Sequence, residues 1–376
     1  MDLSFTEQQE MLRKTARDFL EKECPWQSVE ELQKSEKGYS PETWRRIADL
    51  GWLGTAIPAA YGGTGGSLVD LSILFEEMGR VLLPSPFQST VLCALAIAEF
   101  GAEQQKKVFL PKIANGERIM GACITEASGR YEPQYIKLPA KLVEPNYVLN
   151  GAKLFCRDAH IADWLIVPAR TSESKNPELG LTTFLVDGAN FGMSYRVLKT
   201  IGNDRESQVT FNEVRAFKAN VLGEKDKGWP VAKRMVQYGA LLECCEMLGA
   251  ARKVLEMTVA YAKDRVQFGR PIGTFQAIQH KCADMATDVD TARLITYYAL
   301  WKAVEGLPCE AEISQAKTWV SEAFRRVARE GHQIHAGIAF ILEHPLHLYF
   351  ARAKAGELHY GNPDFHRRAI AASLLD

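Results

Sequence analysis

The sequence has no long apolar run, no cysteine pair with CxxC spacing and no excess of charge of either sign. No stretch approaches the roughly 20 apolar residues needed to cross a bilayer, so a membrane span is not expected. The 45 basic and 46 acidic residues nearly cancel, which makes nucleic acid and anionic membranes poor partners. The eight cysteines are scattered, so we expect reduced thiols in a cytoplasmic protein.

Three zones of different composition follow one another along the 376 residues. In the first zone Thr6 and Ser40 stand where helix N-caps are expected, ahead of residues with helical periodicity. The second zone has short runs rich in Val, Ile, Thr and Phe between turn residues, which predicts an antiparallel β-domain. The third zone is helical again. The sequence therefore predicts an α+β protein with helical, β and helical domains at 1–120, 121–227 and 228–376.

One polar stretch, RVQFGRPIGTFQAIQH at 265–280, interrupts the helical pattern of the third zone. A plain helical hairpin needs only a glycine and a few solvated residues. Two arginines, exposed backbone amides and carboxamide side chains instead favour a site for a ligand that carries phosphates.

This stretch resembles the motif Arg-x-x-Phe-Gly-x-x-Ile-x-x-Phe-Gln-Ala-x-Gln of the acyl-CoA dehydrogenase family. The later segment QIHAGIAFILEHPLHLYFARAK, the opening SFTEQQEMLRKTARDF and the junction FLPKIANGERIMGACITEA are similar to the family as well. The resemblance covers essentially the entire chain. It implies the family's fold, with a C-terminal four-helix bundle, and FAD as cofactor in a dimer or dimer of dimers.

The resemblance also assigns cofactor contacts. It implies that Arg265 reaches the pyrophosphate of a FAD held mainly by the neighbouring subunit, that Phe268 packs on the cofactor, and that Gln276 contacts the adenosine half. Gln333 and Gly337 resemble the family's second contact on that side. These roles suit the chemistry, since a guanidinium pairs bidentately with phosphate oxygens and glycine allows close backbone approach.

Two segments at the flavin depart from the family pattern. Where the family has Thr-Glu-Pro-x-x-Gly-Ser-Asp, Thr125 matches the residue that hydrogen-bonds the flavin pyrimidine ring, but Arg130 and Tyr131 replace the Gly-Ser pair. Where the family has Trp-Ile-Thr, this chain has Phe155, Cys156 and Arg157. We expect the cation of Arg157 to favour reduced, anionic flavin.

The largest departure concerns the catalytic base, which in the family is a glutamate. Tyr360 stands at the usual glutamate position, and a tyrosine near its ordinary pKa of about 10 is a poor base at neutral pH. The alternative position on the first long C-terminal helix is Gly239. Glu243 lies four residues further along that helix, hence on the same face about 5.4 Å away, and is the preferred replacement. The other candidates are Glu246, Glu357 and Asp364; a structural pairing of Glu243 or Glu246 with Arg252 or a lysine remains an alternative.

Six of the eight histidines lie in the last 45 residues. The i,i+3 spacing of His332 with His335 and of His344 with His347 could suggest metal ligation. No cysteine pair or HExxH motif accompanies them, so we expect histidines at helix surfaces and interfaces and no metal.

Three functions remain open from the sequence. The leading hypothesis is a FAD-dependent acyl-CoA dehydrogenase that acts on a bulky or cyclic acyl-CoA and passes electrons to electron-transfer flavoprotein or a similar acceptor. The second is a non-catalytic or half-site subunit of a heteromeric dehydrogenase with a paralogous partner, and the third is a non-redox acyl-CoA reaction on the same fold. The absent base favours the second, and the dinucleotide motif fits both of the first two.

Overall fold

The computed structural model describes residues 4–375, in which the chain divides into two units. The helical unit combines the residues up to Glu31, Leu68–Leu83 and the residues from Ala240 onward. The β unit combines Leu32–Ser67 with Pro84–Gly239. The boundaries of the three predicted domains stay a prediction.

The helices begin where the sequence supplies caps. Thr6 Oγ1 accepts a hydrogen bond from Gln9 N, and the Gln9 side chain accepts one from Thr6 N, which forms a capping box. Ser40 Oγ accepts from Thr43 N at the next predicted start. In chain order the helices are α1 (Glu7–Glu23), α2 (Trp26–Lys34), α3 (Pro41–Asp49), α4 (Leu68–Val81), α5 (Phe87–Phe100), α6 (Glu103–Ala114), α7 (Trp229–Asp264), α8 (Gln276–Val304), α9 (Glu310–His335), α10 (Leu346–Leu358) and α11 (Pro363–Leu375).

The strands lie almost entirely in the β unit. In chain order they are β1 (Met120–Ala122), β2 (Ala140–Val143), β3 (Asn146–Arg157), β4 (Trp164–Arg170), β5 (Leu181–Asp187), β6 (Met193–Val197), β7 (Glu206–Phe217), β8 (Val221–Leu222), β9 (Val266–Gln267) and β10 (Arg270–Pro271). Two four-stranded sheets have the orders β1-β4-β5-β8 and β2-β3-β7-β6, and β9 pairs with β10 in a short hairpin.

The named strands of the β unit pair in antiparallel fashion, with one exception. β1 runs parallel to β4, with Met120 opposite Trp164. The chain between them contains β2 and β3, and such a long connection is what a parallel pair requires. The inner strands β4 and β5 are buried along nearly their whole length, which explains their continuous apolar sequences.

In the helical unit, α4 and α7 cross with their backbones in close contact. A Cβ atom at Gly79 would lie 1.9 Å from Glu246 O, and one at Gly249 would lie 1.8 Å from Glu76 O. Any larger residue at either position would clash with the facing helix. This crossing fixes the part of α7 that carries Glu243 and Glu246.

The predicted fold class, an α+β protein with N-terminal helices, a middle β region and C-terminal helices, is confirmed. Within residues 4–375 no helix combines the length and the apolar character that a membrane crossing requires.

Candidate active site

A bulge in β3 brings two of the predicted flavin contacts together. Lys153 pairs with Val209 and Cys156 with Ser207, so β3 has one residue more than β7 at this point. Phe155 occupies the bulge with a φ of 56° and an exposed side chain. The preceding residue, Leu154, donates its N–H to Thr125 O at 2.9 Å and accepts from the Thr125 hydroxyl at 2.6 Å. Thr125 and Phe155 are therefore neighbours.

Arg157 ends β3 with its guanidinium hydrogen-bonded to the Gln88 side chain of α5. In the sheet it stands opposite Glu206, the first residue of β7. Arg157 is thus held by contacts within the β unit. The family pattern has a threonine at this position, so a guanidinium replaces a neutral hydroxyl.

The dinucleotide motif forms the turn between α7 and α8. Arg265 is exposed directly after α7, and Gln276 is exposed as the first residue of α8. Between them Phe268 has a φ of 54°, is 92% exposed and forms an edge-to-face pair with Phe275. The large apolar ring of Phe268 is therefore exposed to solvent, and the guanidinium of Arg270 lies over the ring of Phe275, 4.3 Å from its centroid.

The second predicted adenosine contact lies at the same end of the helical unit. Tyr261, four residues before Arg265, stacks on His335 with ring centroids 4.3 Å apart. Gln333 and Gly337 are exposed on either side of His335. The ends of α7 and α9 thereby gather an exposed guanidinium, an aromatic ring, carboxamides and a glycine. This set has the donors and apolar surface that a dinucleotide requires, so the chain fits the implied FAD.

The carboxylate of Glu243 lies beside the turn that carries Tyr360. Its Oε1 is 3.3 Å from Nδ1 of His359, the residue before Tyr360. A Cβ atom at position 356 would lie 2.9 Å from this oxygen, so Gly356 leaves room for the carboxylate. Tyr360 itself has a φ of 53°. The structure thus brings the preferred base and the residue at the usual base position into one small region.

The other carboxylates considered as bases have cationic partners. Glu246 is 3.9 Å from Arg352, Glu357 is 2.9 Å from Lys354 and 3.8 Å from Arg325, and Asp364 is 3.1 Å from Arg367. Arg252, proposed as a partner for Glu243 or Glu246, pairs with Glu76 at 3.0 Å.

A buried lysine that the sequence analysis missed holds the same turn. Lys317 of α9 is fully buried, and its ammonium donates to the carbonyls of Gly356, Glu357 and Gly361 at 2.8, 3.2 and 3.1 Å. It also donates to Ser321 Oγ at 3.3 Å. Its burial could have been predicted from helical periodicity, because position 317 lies four residues after Ile313, on the apolar face of α9.

His366 of α11 also contacts this turn. Its Nε2 is 3.1 Å from Tyr360 O and its Nδ1 is 3.2 Å from Ser314 Oγ. Burial, reinforced by the charge of Lys317, lowers the pKa of His366 to about 3. His366 is therefore neutral at physiological pH.

Of the histidines expected at helix surfaces and interfaces, four are buried within the chain: His332, His335, His359 and His366. His332 Nδ1 lies 2.9 Å from Ala328 O, and His335 Nδ1 lies 2.8 Å from Gly331 O. A neutral imidazole that donates to the carbonyl four residues earlier can be buried without an unpaired donor. Burial accordingly lowers the pKa of both side chains.

Comparison with known proteins gives matches over nearly the whole chain. Models of the acyl-CoA dehydrogenase N-terminal, middle and C-terminal domains match residues 6–117, 121–214 and 226–375. A 3-(aryl)acrylate reductase from Clostridium sporogenes is 31% identical over 99% of both chains. A caffeyl-CoA reductase–Etf complex subunit, CarC, from Acetobacterium woodii is 30% identical over 99% of both.

Among solved structures, the ChsE4–ChsE5 complex from Mycobacterium tuberculosis contains a chain that superposes with a TM-score of 0.92. It is 29% identical, and the match covers 100% of this chain and 99% of that one.

Proposed function

The chain belongs to the acyl-CoA dehydrogenase family, and we propose that it acts on the α,β-bond of a bulky or cyclic acyl-CoA thioester with Glu243 as the proton acceptor. Proteins of this family are FAD flavoproteins and oxidoreductases of CH–CH donors, so the predicted cofactor and reaction class are confirmed. FAD, when bound, supplies the hydride acceptor. The contacts assigned to Thr125, Phe155, Arg157, Arg265, Phe268, Gln276, Gln333 and Gly337 are part of the proposal.

The observation that carries the proposal is the environment of Glu243. Of the four carboxylates considered, Glu243 has the His359 imidazole at 3.3 Å and the charge of Lys317 nearby, whereas each of the other three has an arginine or lysine side chain within 4 Å. A permanent cation stabilises the ionised form and weakens a carboxylate as a base. Glu243 is therefore best suited to take a proton from the α-carbon while hydride leaves the β-carbon. In the reverse, reductive direction the same carboxyl group would return the proton.

The proposed acyl group follows from the substitutions at the flavin side and from the relatives. Arg130 and Tyr131 replace the small Gly-Ser pair, and the Arg130 guanidinium stacks on Tyr135 at 4.9 Å from the ring centroid. This changed segment suits an acyl group other than a simple straight chain. The two relatives described above are named for aryl and caffeyl substrates, which supports a cyclic group.

The first test is substitution of the proposed base. In Glu243→Gln we expect turnover to fall by at least about 100-fold, or about 2.7 kcal/mol of barrier, with FAD retained. The assay measures bleaching of the flavin by 3-phenylpropanoyl-CoA and cyclohexanecarboxyl-CoA, with butyryl-CoA for comparison. Tyr360→Phe serves as the control and should change the rate little. Near-normal turnover in Glu243→Gln would exclude this base and favour Glu246.

The second test concerns the cofactor contact of Arg265. A charge-assisted hydrogen bond contributes about 1.5–3 kcal/mol, so Arg265→Ala should weaken FAD binding by roughly ten- to a hundred-fold. The affinity is measured by titration of the apoprotein with FAD. Arg293→Ala, which removes an arginine stacked on Tyr297, is a suitable control. Equal FAD affinity in wild type and Arg265→Ala would remove the assigned pyrophosphate contact.

A second candidate function is a half-site subunit that needs a paralogous partner. It is favoured by the burial of Glu243, whose side chain is only 1% exposed and so has little access to a substrate in this conformation. The structural similarity to a chain of the ChsE4–ChsE5 complex supports a two-chain assembly. Purification from the host separates the two functions. A homo-oligomer whose flavin bleaches with an acyl-CoA supports the first, and a co-purifying paralogue together with an unbleached homo-oligomer supports the second.

The remaining partners are proposed on the same basis. Etf or a similar acceptor would take the electrons, as the name of the Acetobacterium woodii complex suggests for that relative. A homo-oligomer or a paralogous pair, and a cytoplasmic location, complete the proposal.

A further inference from the structure

Lys153 places a fully buried cation in the interior of β3, two residues before Phe155. Its ammonium donates to the Glu126 carboxylate at 2.9 Å and to Ile124 O at 3.1 Å. The two acceptors flank Thr125 in the chain. One side chain therefore ties β3 to both neighbours of a predicted flavin contact.

Glu126 fixes the other side of this segment. The same oxygen that accepts from Lys153 also accepts the backbone N–H groups of Lys137 and Leu138, each at 2.9 Å. The carboxylate thus joins the segment 124–126 to the chain that leads into β2. Together with the two hydrogen bonds between Thr125 and Leu154, these contacts determine where Thr125 stands relative to the bulge.

Stability alone gives little reason for a charge at this position. Burial lowers the pKa of Lys153, and the nearby Glu126 carboxylate raises it only in part. A buried ion pair can often be replaced by apolar side chains without loss of stability. A valine or leucine would also satisfy the alternating burial of β3. The charged pair does what an apolar residue could not, since it holds a carbonyl and a carboxylate of the facing segment at fixed distances.

We propose that Lys153 is a positioning residue, which through Ile124 O and Glu126 sets the placement of Thr125 and Phe155 at the flavin ring. This inference rests on the FAD contacts proposed above but does not depend on the identity of the base or of the acyl group.

The test compares Lys153→Met with wild type in the protein as purified from its host, together with any partner chain. Met keeps the length of the side chain and loses the donor. We expect the Kd for FAD to rise about tenfold, as for the loss of one well-placed hydrogen bond. We also expect the visible flavin absorption band and the reduction potential to shift. Lys141→Met, at an exposed position of β2 in the same sheet, is the matched control and should leave all three unchanged.

A second variant covers the case in which Lys153→Met does not fold. In Lys153→Met/Glu126→Gln the amide oxygen can still accept the N–H groups of Lys137 and Leu138, and no buried charge lacks a counter-charge. This variant should fold and show the same changes in FAD affinity and flavin spectrum. Unchanged affinity, spectrum and potential in whichever variant folds would overturn the proposal.

The readouts separate this inference from the proposed function. They are taken without acyl-CoA, so a failure of Glu243 as the base would leave them unaffected. Conversely, the Lys153 variants could keep the FAD affinity, flavin spectrum and reduction potential of wild type and bleach normally with acyl-CoA. That result would reject the positioning role of Lys153 and leave the proposed function standing. A wild-type protein that binds no FAD, alone or with its partner, would contradict both.

Discussion

The two units each contain a fully buried lysine that holds a predicted site segment, and they satisfy its charge in different ways. In the β unit, Lys153 has a carboxylate and one carbonyl as partners. In the helical unit, Lys317 has three carbonyls and one hydroxyl. Burial lowers the pKa of Lys317, and the nearby Cys244, Glu243 and Glu357 raise it in part.

This difference determines which lysine can be replaced. The Lys153–Glu126 pair can be removed together at a smaller cost, because the two charges leave together and only the Ile124 carbonyl loses its donor. Lys317 cannot be matched in this way, since three of its four partners are backbone carbonyls that stay behind when the side chain is lost. A buried carbonyl without a donor is costly, so we expect the helical unit to depend more on its lysine than the β unit does.

The largest effect is expected for Lys317→Met. Three buried carbonyls lose their donor, and at about 1 kcal/mol or more each the free energy of unfolding should fall by roughly 3 kcal/mol. Denaturant unfolding of the variant and wild type measures the loss. A loss below that of the Lys153→Met/Glu126→Gln variant would contradict the comparison between the two units.

The next largest effect is a dependence of stability on pH, which arises from His366 beside the turn that carries Tyr360. Burial and the charge of Lys317 lower the pKa of His366 to about 3, below its unfolded value of 6.5, so the unfolded chain binds the proton more readily. The contribution of His366 to stability is complete above pH 6.5 and is lost as pH falls from 6.5 toward 3. Between pH 6.5 and pH 5 this loss amounts to about 2 kcal/mol.

The difference in unfolding free energy between wild type and His366→Asn isolates this contribution. We expect the acid limb of the stability curve to be less steep in the variant. A parallel acid limb in both proteins would show that His366 is not held neutral.

The smallest effect is expected for the double variant Lys153→Met/Glu126→Gln. Both charges leave together, the two backbone N–H groups keep an acceptor and one carbonyl, that of Ile124, loses its donor, so the unfolding free energy should fall by about 1 kcal/mol. Lys153→Met alone should be the less stable of the two, because it leaves the Glu126 carboxylate without its ammonium. Equal stability of the single and double variants would show that the charges of Lys153 and Glu126 do not stabilise each other.

Local patterns were sufficient to predict the helix starts at Thr6 and Ser40, since each cap depends on residues within one turn. The order of helices, strands and helices followed from composition, and the cofactor from the family resemblance. The bulge at Phe155 could not be predicted, because it arises from the register between β3 and β7. The roles of Lys153 and Lys317 were missed for a related reason. Their acceptors lie about 30 to 40 residues away in the sequence, and local periodicity does not predict contacts over that distance.

The division of the helical unit over three chain segments has a consequence for the order of events on the ribosome. Residues 32–67 and 84–239, which make up the β unit, are all synthesised before the C-terminal helices exist. Helices α1 and α4, with the buried charges of Glu77 and Arg80, must wait for α7 to α9 to emerge, on the order of ten seconds at typical elongation rates. During that interval α1 and α4 have each other, through Arg17 and Glu77, but lack the C-terminal helices that complete their unit, which makes this the period in which a chaperone has most to protect.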